Sequence, residues 1–196
     1  MDHPTREELE ILKDQRFLLI KQTLSDKIIT QLSMIERLLK DELKNSKFKF
    51  PDQTFLKAGK ISKGENYRSL PYYLLDYPRL FTQEAVFAYR TMLWWGNEFS
   101  CTLHIGGSPL QECAEKLKTN LAQEKRLYFC ISNNPWEYHF EESNYKPIAS
   151  ITEKTITDQI KKYDFIKISN KISLDSWDQF GDFSLTTLKR FLKLIN

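Results

Sequence analysis

Residues 85–105 read AVFAYRTMLWWGNEFSCTLHI and combine large apolar and aromatic side chains with few charges. The pattern predicts two β-strands, residues 85–95 and 98–105, joined at Gly96 and Asn97. Asparagine and glycine are typical of tight hairpin turns, because both tolerate positive φ angles. The hairpin lies inside a longer aromatic region, residues 68–105, and we expect the sheet to be built around it.

A two-residue turn at Gly96 and Asn97 fixes the register of this hairpin. It would place Trp95 opposite Glu98, Leu93 opposite Ser100, Thr91 opposite Thr102, and Tyr89 opposite His104. The other side would then be apolar, with Val86, Ala88, Met92 and Trp94 beside Phe99, Cys101, Leu103 and Ile105. We interpret that side as the core face. Arg90 is its one charge and therefore needs a partner there.

The first side of the predicted hairpin mixes aromatic rings, hydroxyls, an imidazole and a carboxylate, a combination that suits a ligand-lining surface. Nearby arginines could clamp an anionic group bidentately. The predicted ligand-binding residues are Tyr89, Thr91, Trp95, Glu98, Ser100, Thr102, His104, Arg79 and Arg90. Two alternatives remain open: helices of the protein itself cover this face, and Asp76 forms an internal ion pair with one of the arginines.

The composition is that of an ordinary globular protein, with 41% hydrophobic and 28% charged residues in a chain of 196. A net charge of +3 gives no electrostatic reason to expect a nucleic-acid or membrane partner. Three cysteines cannot all pair with one another, and the first eight residues lack the apolar stretch of a signal peptide. We therefore expect a cytoplasmic protein with free thiols.

The first 45 residues predict one or two helices. Thr5 and Glu8 form a capping box, and Ser25 followed by Asp26 could begin a second helix. An apolar stripe recurs every three or four residues, at Leu24, Ile28, Leu32, Ile35 and Leu39. Such a stripe usually packs on the protein's own core, and the alternative is a homodimer formed through these N-terminal helices.

The remaining elements predict an α+β fold, a mostly antiparallel sheet of hairpins packed against N-terminal and C-terminal helices. We expect a single domain, 1–196, made of a helical segment 1–45, a hairpin-rich sheet with inserted helices at 54–174, and a C-terminal helix 184–196. Within it we expect a short strand at 54–56, a helix capped by Ser108, a second hairpin of strands 127–131 and 136–140, a helix at 152–162 and strand pairing at 166–174.

Several polar groups are candidates for a catalytic, anion-binding or metal-binding site. A triad of Asp76, His104 and Ser100 can be written, but neither a nucleophile elbow nor a glycine-rich phosphate motif is present. The turn at residues 106–108 could bind an anion, although capping by Ser108 accounts for its composition. Glu137, His139 and Glu141 share one predicted strand face, yet a single imidazole favours a solvent face over a metal site. We expect no metal and no cofactor.

Three functions follow from these patterns. The first is binding of a small ligand or partner on the aromatic and hydroxyl-lined sheet face. The second is an enzyme that acts on a small anionic substrate with His104 as base. The third is a helix-mediated protein-interaction module.

Overall fold

The computed structural model describes residues 3–196. The helices among them are α1 (Arg6–Lys13), α2 (Gln15–Lys44), α3 (Ser108–Leu121), α4 (Glu153–Tyr163) and α5 (Phe180–Ile195). The strands are β1 (Lys60–Tyr67), β2 (Leu70–Phe81), β3 (Ala85–Trp94), β4 (Glu98–Gly107), β5 (Tyr128–Cys130), β6 (Tyr145–Pro147) and β7 (Phe165–Ser173).

All seven strands belong to one antiparallel sheet with the order β1-β2-β3-β4-β7-β5-β6. Helices α2, α3, α4 and α5 pack on one face of this sheet, which we call the helix face. Two packed layers can bury the apolar side of each element. The predicted α+β class, with an antiparallel sheet between N-terminal and C-terminal helices, is confirmed.

The N-terminal segment forms two helices that meet at Asp14. The capping box predicted for Thr5 and Glu8 is present at the start of α1. Asp14 ends α1 with ψ 87°, and its side chain accepts a hydrogen bond from the backbone N–H of Phe17 to begin α2. The break therefore precedes Ser25 and Asp26, which lie inside α2, because Asp14 supplies the cap.

The predicted stripe on α2 faces the sheet. Ile28, Leu32, Ile35 and Leu39 are buried in the main core, and Leu24 packs against that core. Burial of four large aliphatic side chains stabilises the fold by about 1.5–3 kcal/mol for each. This half of α2 is therefore an integral part of the fold.

The predicted register of the β3–β4 hairpin is wrong by one residue. Leu93 pairs with Phe99, Tyr89 with Leu103, and Ala88 with His104. The turn closes when the backbone N–H of Asn97 donates to the carbonyl of Trp94, at 3.1 Å, with Gly96 at φ +70°. Trp95 thus belongs to the turn and does not pair with Glu98.

This shift transfers one strand to the other side relative to its neighbour, because side chains alternate along a strand. The predicted core side is therefore right for the four β4 residues, Phe99, Cys101, Leu103 and Ile105, and wrong for the four β3 residues, Val86, Ala88, Met92 and Trp94. Tyr89 and Thr91 lie on the helix face with Phe99, Cys101 and Leu103. Serine, threonine and histidine of β4 lie on the opposite face with Arg90 of β3, as the register requires.

The predicted strand 136–140 is wrong, and so is its hairpin with 127–131. Residues 132–144 form no regular element, and the three-residue strand β6 pairs with β5 in its place. Pro135, near the start of this segment, has no backbone N–H to donate to a neighbouring strand. The backbone N–H groups of Tyr138 and His139 bind a side chain instead of a strand.

Smaller differences concern the ends of elements. The residue before α3 is Gly107 in the capping position, so Ser108 is the first helical residue and its side chain caps nothing. The predicted strand at 54–56 is only a bridge between Phe55 and Arg79. Leu174 follows β7, and α5 begins at Phe180, before Ser184, since a short 3-10 segment leads directly into it.

Candidate functional site

The sheet face opposite the helices carries a buried layer of polar side chains, which we call the polar face. Cross-strand pairing places Asp76 beside Arg90, Arg90 beside Thr102, and Thr102 beside Ser169. These four side chains therefore form one row across β2, β3, β4 and β7. The next row contains Ala88, His104 and Lys167.

The side chains of the first row are hydrogen-bonded to one another or to the backbone. The Arg90 guanidinium donates to both oxygens of Asp76, at 2.7 and 2.8 Å. The hydroxyls of Thr102 and Ser169 lie 2.8 Å apart, and Ser169 also donates to the carbonyl of Cys101. The alternative of an internal ion pair involving Asp76 is confirmed, and Arg90 has the partner that its burial requires.

Lys167 is the most unusual group on this face, because it is completely buried (0% exposed) and forms no ion pair with any described residue. Its ammonium donates to the backbone carbonyl of Glu137 and lies 4.7 Å from the ring centre of Tyr138 and 5.4 Å from that of Tyr145. Aromatic faces compensate part of the charge. Burial lowers the pKa of Lys167 to about 8.

His104 lies directly opposite Lys167 on the neighbouring strand. Burial, with smaller contributions from the positive charges of Lys167 and Arg90, lowers the pKa of His104 to about 3. The imidazole is therefore neutral at physiological pH. Its Nδ1 and the hydroxyl of Tyr145 are buried and have no hydrogen-bond partner among the described residues.

Residues 132–144, which we call the cover segment, lie over this polar layer. The ring of Tyr138 contacts both the Lys167 ammonium and the Arg90 guanidinium, whose central carbon is 4.6 Å from the ring centre. The hydroxyl of Tyr67 accepts hydrogen bonds from the backbone N–H groups of Tyr138 and His139 and donates to Oε2 of Glu137. The cover segment thus closes the polar face from solvent.

The predicted ligand-binding residues divide between the two faces. Tyr89 donates to the carbonyl of Ser184 in α5, at 2.5 Å, and Thr91 contacts the same serine, so both are closed off by a helix. Trp95 packs against the main core. The polar face holds the others: Arg79, Arg90, Glu98, Ser100, Thr102 and His104. The single surface predicted from the sequence does not exist.

The residues of the candidate triad do not come together. Ser100 and His104 are four residues apart on one strand, which corresponds to about 13 Å. Both oxygens of Asp76 are bound by Arg90. A base also needs a pKa near the working pH, and the pKa of His104 is far lower.

The turn at residues 106–108 has no free donors at its first positions for an anion. The backbone N–H of Gly107 donates to the carbonyl of Asp164, and that of Ser108 donates to the carbonyl of Glu84. Gly107 adopts φ +64°, and a Cβ atom there would lie 1.9 Å from the Glu84 oxygen. Glycine is needed at this position for close packing of backbone.

Sequence reasoning missed Lys167, Tyr67 and Tyr138, the three residues that hold the polar layer and its cover together. Lys167 lies between Ile166 and Ile168 in the sequence. This alternation of apolar and charged residues is typical of a half-buried strand whose lysine faces solvent. The signal that would identify it is the pairing of β7 with both β4 and β5, which makes β7 an interior strand.

A second candidate surface lies at the other end of the chain. We call residues 6–24, comprising α1 and the first ten residues of α2, the N-terminal arm. No residue of α1 is buried, and the arm leaves seven large apolar side chains 37% to 70% exposed. They are Leu9, Ile11, Leu12, Phe17, Leu18, Leu19 and Ile20.

Residues 3–196 contain no group of three or more histidine, cysteine, aspartate or glutamate side chains placed to hold a metal ion. None of their helices has the length and apolarity needed to cross a bilayer. In comparisons with known proteins, no family model, no curated protein and no solved structure matches this chain.

Proposed function

We propose that this protein is a helix-mediated self-association module, in which the N-terminal arm of one copy binds the arm of a second copy. The observation that carries this proposal is the exposure of seven large apolar side chains on adjoining turns of α1 and α2. Exposed apolar residues scattered singly are ordinary, whereas a contiguous group marks an interaction surface.

The exposed area is large enough for a specific interface. With about 150–250 Å² for a fully exposed large side chain, the seven residues present on the order of 700 Å². A monomer's largest apolar patch is about 300–600 Å², and a standard interface buries about 800 Å² on each partner. Pairing of two arms would bury the part of this area that faces the partner, because residues 17–20 are consecutive and project around α2.

The charges of the arm favour a protein partner over a lipid surface. The arm contains four basic and four acidic residues, so its net charge is zero. Helices that lie on membranes are typically rich in lysine and arginine on their polar face, which binds anionic lipids. The arm has no such excess, and this argues for a partner that also carries both signs.

The arm is attached to the fold in a fixed direction. The α2 helix continues from it without a break into the buried positions Ile28 and Leu32. Lys21, within the arm, forms an ion pair with Glu65 of β1 at 2.8 Å. A presented helix that is already ordered loses little conformational entropy when it binds.

The test is the mass of the 196-residue protein in solution from about 1 to about 100 µM, measured by sedimentation. We expect a species of twice 23.3 kDa to form as the concentration rises. Leu12→Gln with Leu19→Gln should leave a monomer. The matched control is Leu56→Gln with Leu70→Gln, two leucines outside the arm that are 41% and 38% exposed.

Substitution is preferable to deletion of the helices. Removal of residues up to 45 would also remove Ile28, Leu32, Ile35 and Leu39 from the core and unfold the protein. A wild-type protein that remains monomeric throughout the concentration range would contradict the proposal. Binding of the wild-type arm to anionic phospholipid vesicles, lost in the leucine variant, would also contradict it.

A second candidate function is binding of a small ligand beneath the cover segment. It is supported by Lys167, which has no carboxylate partner among residues 3–196, and by polar atoms of His104 and Tyr145 that have no hydrogen-bond partner in the same range. Small carboxylates and phosphates are suitable probes, since ligands that bind the native state raise the melting temperature. No rise with any of these probes, or an equal rise in Lys167→Met, would exclude a small anion at this site.

The proposal includes a reducing compartment, such as the cytoplasm. Cys101, Cys113 and Cys130 are all free thiols, and Cys101 and Cys130 are buried. Burial raises the pKa of Cys101 and of Cys113 to about 11, which keeps both thiols protonated and unreactive.

A further inference from the structure

We infer that the two arms pair antiparallel, so that the outer half of each arm lies against the inner half of the other. This inference rests on the proposed self-association and specifies its geometry. It follows from the distribution of charge along the arm, which is uneven although the total is zero.

The outer half, residues 6–10, contains one arginine and three glutamates, which gives it a net charge of −2. The inner half, residues 13–21, contains two lysines, one arginine and one aspartate, which gives it a net charge of +2. Every charged side chain on the arm is in one of these two halves. The arm is therefore negative at the end that is distant from the fold and positive where it joins the fold.

Pairing direction decides which charges meet. In an antiparallel pair, each negative half lies against a positive half, and the helix dipoles also oppose one another favourably. In a parallel pair, the two negative halves would repel each other, and so would the two positive halves. Electrostatic complementarity sets orientation and register more strongly than it sets affinity.

The apolar side chains are compatible with the same direction. Leu9, Ile11 and Leu12 lie in or next to the outer half, and residues 17–20 form the apolar part of the inner half. Antiparallel pairing therefore brings the apolar residues of each outer half onto those of the partner's inner half, on both sides of the break at Asp14. Because the same patch is used by both copies, the contact is isologous and closes at a dimer.

Charge reversal on each half provides the experiment. Glu7→Lys with Glu10→Lys makes both halves positive, and Lys13→Glu with Arg16→Glu makes both halves negative. Glu8 is left unchanged because it completes the capping box with Thr5. Lys21 is also left unchanged because it pairs with Glu65.

We expect each double variant to dimerise on the order of tenfold more weakly than the wild type in low salt. The quadruple variant reverses both halves, so its dimer should regain an affinity close to that of the wild type. The differences should shrink in about 1 M salt, where the screening length falls to about 3 Å. Sedimentation at several concentrations measures all four proteins, and circular dichroism verifies that each remains folded.

The outcomes separate this inference from the proposed function. A wild-type protein that never dimerises overturns the proposed function itself. A wild-type dimer that is lost in Leu12→Gln with Leu19→Gln, but is unaffected by either charge variant, retains the proposed function and overturns antiparallel pairing. Weakening in both double variants without recovery in the quadruple variant also overturns it.

Discussion

Arg90 and Asp76 lie on neighbouring strands and form a bidentate ion pair on the polar face, with N–O distances of 2.7 and 2.8 Å. The Asp76 side chain is 7% exposed and that of Arg90 is 13% exposed. The ring of Tyr138 contacts the guanidinium, with 4.6 Å between the ring centre and the central carbon. The pair therefore ties the second and third strands to the cover segment as well as to each other.

Removal of one partner from this pair should be costly. We expect Asp76→Ala to lower the free energy of unfolding by about 3–5 kcal/mol, because it leaves a buried guanidinium without a counter-charge. Asp76→Leu combined with Arg90→Met should destabilise much less, since no charge remains buried. Urea denaturation of both proteins measures the difference. A loss below about 1 kcal/mol in Asp76→Ala would show that water reaches the guanidinium.

The elements that follow from periodicity could be predicted, and the register of the hairpin could not. The α2 stripe from Ile28 to Leu39 repeats every three or four residues and is buried as expected. Two hairpin turns that differ in register by one residue are both compatible with a glycine followed by an asparagine. That single choice decides which residues of β3 share a face with His104.

The candidate site was harder to predict because its residues are brought together by long-range pairing. The site brings together Tyr67, Glu137 and Lys167, which are far apart in sequence. In the cover segment, a backbone N–H group donates to the hydroxyl of Tyr67 and not to a neighbouring strand. No local pattern distinguishes such a segment from a strand. The ion pair of Asp76 was predictable, because a buried arginine on a central strand requires a carboxylate.

Lys167 should make the protein more stable as the pH rises. Its pKa is about 8 in the folded protein against 10.5 ordinarily, so between these values only the unfolded chain binds the proton. Stability increases with pH where the unfolded state binds more protons, and the gain between pH 7.5 and 10.5 is about 3 kcal/mol. Chemical denaturation across this range, with Lys167→Met as reference, measures it.

The comparison with Lys167→Met isolates this group, because other titrations contribute equally to both proteins. The difference in unfolding free energy, wild type minus variant, should rise across the pH window. A constant difference would show that the pKa of Lys167 is not lowered in the folded protein.

His104 should produce a pH dependence of the same sign as that of Lys167, in a more acidic range. Its pKa of about 3 in the folded protein lies below the ordinary 6.5, so the unfolded chain takes up a proton first as the pH falls. Stability that is present above pH 6.5 is therefore lost progressively towards pH 3. Relative to His104→Gln, the wild type should lose about 2 kcal/mol between pH 7 and pH 5. Parallel pH curves for the two proteins would contradict this prediction.

The Tyr67 hydroxyl should control how often the cover segment opens. It accepts hydrogen bonds from the N–H groups of Tyr138 and His139, at 2.7 and 3.0 Å, and donates to Glu137 at 2.8 Å. Tyr67→Phe would leave two backbone donors without a partner, which costs about 1–3 kcal/mol for each buried group.

Amide hydrogen exchange measures this opening residue by residue, because local unfolding exposes only the amides of the segment that opens. We expect exchange at Tyr138 and His139 to become at least tenfold faster in Tyr67→Phe, while Leu32 in α2 exchanges as in the wild type. Tyr72→Phe is the matched control, since it removes a hydroxyl from a neighbouring ring that packs on Tyr67 at 6.0 Å. Equal exchange in both variants would mean that the contacts of the Tyr138 ring with Arg90 and Lys167 hold the segment without help from the hydroxyl.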